Sequence, residues 1–159
     1  MLSKYLVLLI SSLILASLLY SCKNNVNSTT NGIILYSKDT INLSTQGEGV
    51  LNLYNEQDYF SPYTNIRKIE IDYTGDTNID SSKGICHMII KVAAQSGGSV
   101  PFYMYYDGIT SINHSYTYNA YITPDVGLWY VQFRVEINNG FTPGVKYIIM
   151  RNIKVVGLD

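Results

Sequence analysis

Trp129-Tyr130-Val131-Gln132-Phe133-Arg134-Val135-Glu136-Ile137 alternates apolar and polar side chains without a break. Side chains in an extended strand point to opposite faces in turn. Trp129, Val131, Phe133, Val135 and Ile137 therefore form one buried face, and Gln132, Arg134 and Glu136 look to solvent. Lys68-Ile69-Glu70-Ile71-Asp72-Tyr73 repeats the pattern. Outward from these two stretches, strands are expected over 33–37, 50–54, 85–94, 100–106, 115–122 and 145–156. Segments rich in Gly, Asn, Asp and Pro separate them, among them Gly47-Glu48-Gly49, Gly97-Gly98 and Asp107-Gly108. No helical period persists for three turns and no repeat is visible. About eight strands without intervening helices predict an all-β antiparallel sandwich over residues 33–159.

The last third resembles jelly-roll carbohydrate-binding, or galactose-binding-like, modules. Those commonly end on an alternating strand with Gln and Arg, a Gly-containing loop and a final strand of the form aliphatic-x-[Asp/Asn]-[Val/Ile]-x-[Val/Ile]. Here these are Tyr130 to Val135, the loop 140–144, and Tyr147 to Val156, with Asn152 where Asp is more frequent. The resemblance covers about 30 residues and implies a jelly-roll fold with a carbohydrate ligand.

The N-terminus is of a different kind. Lys4 precedes a sixteen-residue apolar run from Tyr5 to Tyr20, broken only by Ser and Ala, which has the layout of an export signal and falls short of the roughly 20 residues a spanning helix needs. Leu18-Leu19-Tyr20-Ser21-Cys22 resembles the lipobox of bacterial lipoproteins in Leu19, Ser21 and Cys22. Tyr20 departs from the common form and fits the looser boxes of spirochaetes and some other bacteria. That resemblance implies a signal peptide 1–21, acylation of Cys22, and a lipid anchor in a bacterial cell-envelope membrane, at the surface or the periplasmic face. Acyl chains contribute roughly 0.8 kcal/mol per buried CH₂, so two or three hold a protein on a bilayer. Residues 22–32, with their many Asn, Ser and Thr, are too polar to bury a core and are expected to form a flexible tether.

The rest of the composition works mainly by exclusion. Eleven Lys and Arg balance twelve Asp and Glu, Arg67-Lys68 is the only adjacent basic pair after Cys22, and no nucleic-acid motif occurs, so nucleic acid is excluded as a partner. Cys22 and Cys86 are the only cysteines, too few for a disulfide framework. Glu70-Ile71-Asp72 shares its first positions with the Glu-x-Asp-x-x-Glu of laminarinase-type glycosidases, but Gly75 stands where the second Glu belongs, and the paired-carboxylate mechanism lacks a partner. The two histidines, His87 and His114, have no Gly-x-Ser-x-Gly elbow to serve. No catalytic residue and no organic cofactor are expected.

Asp76-Thr77-Asn78-Ile79-Asp80 alternates side-chain oxygens, a pattern suited either to a structural Ca²⁺ held by Asp76, Asn78 and Asp80 or to an Asx-rich turn. Exposed Tyr103, Tyr105 and Tyr130, with Arg134, are the candidate ligand-binding residues, because aromatic rings stack on sugar faces and anchor protein interfaces. If Asp107-Gly108 makes a two-residue hairpin, Tyr103 and Tyr105 share a face with Tyr116 and Tyr118; a longer loop removes that link. The expected function is a membrane-anchored, non-catalytic binding module for carbohydrate or for an envelope or host protein. The alternatives are a structural envelope lipoprotein and a degenerate sandwich glycosidase.

Overall fold

The strand-forming stretches pair into two sheets that interleave along the chain. The computed structural model describes residues 32–45, 50–80, 85–109, 113–138 and 144–159, all within the unit Gly32–Asp159. Its elements are β1 (Ile33–Thr45), β2 (Leu51–Phe60), β3 (Ile66–Thr77), β4 (Ile85–Ala94), β5 (Phe102–Asp107), β6 (Asn113–Ile122), a 3-10 turn Pro124–Val126, β7 (Trp129–Asn138) and β8 (Lys146–Leu158). One sheet runs β1-β8-β3-β6 and the other β2-β7-β4-β5, with every pair antiparallel. Successive strands cross from sheet to sheet except β4 and β5, which form a hairpin. This interleaving of two four-stranded sheets is the jelly roll. The leader, Cys22, residues 23–31 and the Gly47-Glu48-Gly49 turn lie outside the described residues.

Core and register follow the alternation. Val131, Phe133, Val135 and Ile137 of β7 face Ile69, Ile71, Ile148, Met150 and Val155 of the opposite sheet's strands, and all are fully buried. Burying such a side chain stabilises by roughly 1.5–3 kcal/mol, so the interior dominates the fold. Trp129 is buried as well, and its indole N–H donates to the Thr123 carbonyl at 2.9 Å.

Three departures from the sequence reading have local causes. Strands β1 and β2 run longer than expected, to Thr45 and Phe60. Glu56 lies among the inward-pointing positions of β2, where the Tyr36 hydroxyl donates to it at 2.9 Å, the Tyr54 hydroxyl also donates to it, and Lys38 pairs with it at 3.5 Å. His114 belongs to strand β6, one residue before that strand's expected start, with its ring stacked on Tyr116 and tilted against Tyr73. Asn152 sits at φ 53° beside the register shift where β8 meets β3, a conformation that Asn tolerates better than most residues.

The segment after Asp107 is no tight hairpin. It carries the chain from the edge of one sheet to the edge of the other, so Tyr103 and Tyr105 do not share a face with Tyr116 and Tyr118. Tyr106, one residue on, packs against Tyr116 instead, with ring centroids 6.0 Å apart.

Candidate functional site

Strand order decides which exposed residues become neighbours. In the second sheet β7 and β4 are central, so the outward residues of β7 meet those of β2 on one side and of β4 on the other, with β5 beyond. Reading across the strands, Tyr59 pairs with Tyr130 and Ala93; Gln57 with Gln132, Lys91 and Tyr103; Asn55 with Arg134, Ile89 and Tyr105; Leu53 with Glu136, His87 and Asp107. All point away from the core, because each occupies the opposite parity from the buried members of its strand. The four candidates Tyr103, Tyr105, Tyr130 and Arg134 therefore share one solvent-facing surface, about 14 Å wide across its four strands.

The face combines open rings with fixed polar groups. Tyr59, Tyr103 and Tyr105 keep 54%, 59% and 49% of their surface. Tyr130 is half-buried, with Tyr59 edge-on at 6.2 Å and the Lys91 ammonium 5.6 Å from its ring centre. Gln57 donates to the Tyr59 hydroxyl at 3.0 Å, and Gln132 donates to Asn55 at 3.2 Å. The Tyr105 hydroxyl lies 2.7 Å from His87 Nδ1, which also meets the Asp107 carboxylate. Arg134 pairs with Glu136 through one terminal nitrogen, while its Nε is buried without a hydrogen-bond partner. Leaving a buried donor unmade is costly, and the Arg134 Nε–H is such a donor, covered beneath the face rather than open on it.

Sequence reasoning missed Tyr59, Gln57, Lys91 and His87 as members of this surface. The alternation Asn55, Gln57, Tyr59 was there to be read. Their adjacency to β7, however, depends on strand order.

The remaining candidates lie elsewhere. Asp76 is within β3, and Asn78 is engaged with the chain before and at the start of β8, donating to the Val145 carbonyl at 3.0 Å and accepting from the Tyr147 N–H at 2.9 Å. Asp80 follows two residues on. Among the described residues no three His, Cys, Asp or Glu side chains gather in a way that could hold a metal ion. Glu70 and Asp72 point outward from the other sheet, with Asp72 opposite Lys154. His87 and His114 lie on different sheets. Cys86 is buried, and burial pushes its thiol up to about 11.

The class these observations define is an antiparallel jelly-roll sandwich with an aromatic and polar outer face. No protein-family model matches the chain, and no curated protein matches it in sequence. Among solved structures, the carbohydrate-binding module TmCBM61, in complex with β-1,4-galactotriose, superposes with a TM-score of 0.47 at 10% identity, over 73% of this chain and 68% of that one. A chain of infectious bursal disease virus, Gt strain, does so with a TM-score of 0.46 at 12% identity, over 82% of this chain, which spans only 32% of that one. PirA covers 80% of this chain and 99% of its own, with a TM-score of 0.29 at 17% identity.

Proposed function

We propose that residues 33–159 form a non-catalytic binding module, held at a bacterial envelope membrane through acylated Cys22, that takes a carbohydrate chain on the outer face of the β2-β7-β4-β5 sheet. The observation that carries this reading is the gathering of Tyr59, Tyr103, Tyr105 and Tyr130 around Arg134, Gln57 and Gln132 on one open surface. A sugar ring has an apolar C–H face that stacks on tyrosine and a rim of hydroxyls that pair with amide and guanidinium groups. The site is a broad face rather than a pit, which matches an oligosaccharide better than a single sugar. Cys22 lies outside the described residues, and the anchor rests on the lipobox pattern alone.

A glycan array on the folded domain, residues 32–159, tests the ligand class. Reproducible binding is expected. Tyr103→Ala should weaken it about threefold to tenfold, the size of one aromatic stacking contact, while Tyr103→Phe keeps most of it because the ring does the stacking. Neither change should move the melting temperature by much, since Tyr103 is exposed. A domain that ignores every glycan and captures only a protein from envelope extract would transfer the function to the structural alternative. Release of sugar from a bound polysaccharide would reinstate the glycosidase.

A further inference from the structure

The end of the sandwich at which the chain enters is built differently from its sides. Ile33 pairs with Gly157, Lys68 with Leu158 and Ile66 with Ile122, so the starts of β1 and β3 and the ends of β6 and β8 lie together. The five-residue connection 61–65 and the six-residue connection 123–128 bring the ends of β2 and β4 and the start of β7 to the same place. Three loops, 61–65, 95–101 and 123–128, cap this end, and the Gln95 N–H donates to the Leu128 carbonyl at 2.9 Å across two of them.

These loops display apolar tips. Tyr63, Val100, Val126 and Leu128 are between 38% and 73% exposed. Asp125 is the one charged residue in the three loops. Arg67 and Lys68, the adjacent basic pair, are exposed just behind them at the start of β3, with Asp159 and the exposed Asp58 near the end of β2 as the other nearby acids. Tyrosine and small aliphatic tips backed by two cations match the layering of a membrane interface, where rings sit at headgroup depth and basic side chains meet anionic phosphates.

We infer that this end of the domain, Tyr63, Val100, Val126 and Leu128 backed by Arg67 and Lys68, docks on the lipid surface to which the chain is anchored. The inference rests on the anchor proposed above. Val50, Leu51, Leu53 and Val145 are also exposed, at the far end of the sandwich, but docking them would need the tether stretched to its limit along the whole domain. Ten residues from Cys22 to Gly32 reach at most about 36 Å. Strand β1, with 13 residues, separates the two ends by about 40 Å. With acyl chains already holding the chain at the bilayer, a weak apolar surface acts at high effective concentration and needs little affinity of its own. Docked this way, the sheet carrying the tyrosines stands upright from the bilayer with its outer face open.

The test replaces the acyl anchor, so that its outcome is independent of whether Cys22 is lipidated. Residues 23–159 carrying an N-terminal hexahistidine are held on phosphatidylcholine–phosphatidylglycerol vesicles containing a nickel-chelating lipid. An environment-sensitive fluorophore is placed on Tyr63→Cys, Val100→Cys, Val126→Cys or Val145→Cys, and the parent chain with buried Cys86 serves as the blank. Melting curves verify that each variant is folded. Blue-shifted emission and quenching by doxyl-labelled lipid are expected at 63, 100 and 126 and absent at 145. Water-exposed emission at all four positions, or burial at 145 instead, overturns the inference.

Discussion

Single residues in this fold answer to space as much as to chemistry. Gly157 lies in β8 where a Cβ would stand 2.7 Å from Ile66 Cδ1 and 3.0 Å from its Cγ2, and Ile66 is itself buried. No strand rule forbids alanine there, but the core has no room for it. Gly157→Ala should destabilise by about 1–3 kcal/mol, as overpacking does, and lower the melting temperature on the order of 5 °C in a calorimetric scan. Asn152 is the converse case, a position whose backbone rather than its surroundings selects the residue. The binding face belongs to this scale too. Arg134 is legible in the sequence as an outward member of an alternating strand, yet its unspent Nε emerges only when Glu136 is seen to occupy the other end of the guanidinium.

Elements were legible in proportion to the purity of their alternation. β7 and β4 end within a residue of their expected limits, because apolar side chains fill their inner positions. β2 was read only to residue 54, since Glu56 and Asp58 occupy positions where the pattern demands hydrophobes. That exception is structural. The Tyr54 and Tyr36 hydroxyls, and then Lys38, hold the Glu56 carboxyl below its ordinary value of 4.5. A carboxyl whose pKa falls on folding stabilises the fold above its unfolded value, and that contribution disappears as pH drops through the folded value. Wild-type and Glu56→Gln domains should therefore differ in melting temperature near neutrality and converge as pH falls well below 4.5. A gap that stays constant through that range would show that Glu56 acts by shape rather than by charge. The β5–β6 connection left two readings open, of which the longer loop holds, because a loop that changes sheets and a loop that stays in one can have the same residues.

At the scale of the whole molecule, the anchor and the domain make separable predictions. Cys22→Ala should abolish labelling by a clickable fatty acid and release the protein from membranes, with glycan binding by the domain unaltered. A mature N-terminus other than Cys22, found by mass spectrometry, would remove the anchor and leave the fold untouched. Strand order, which no local pattern encodes, brought the four candidate residues onto one face, and it also settles how the protein bears load. β1 is an edge strand whose backbone ladder is made with β8, from Ile33 to Thr45, and it begins at the end where the chain enters. With the anchor and the binding face as proposed, a pull between anchor and ligand would draw β1 along its own axis. Its hydrogen bonds lie across that axis, so they are sheared together rather than peeled in turn. A chain anchored and loaded in the way proposed would thus be attached through the geometry in which a strand resists extraction best.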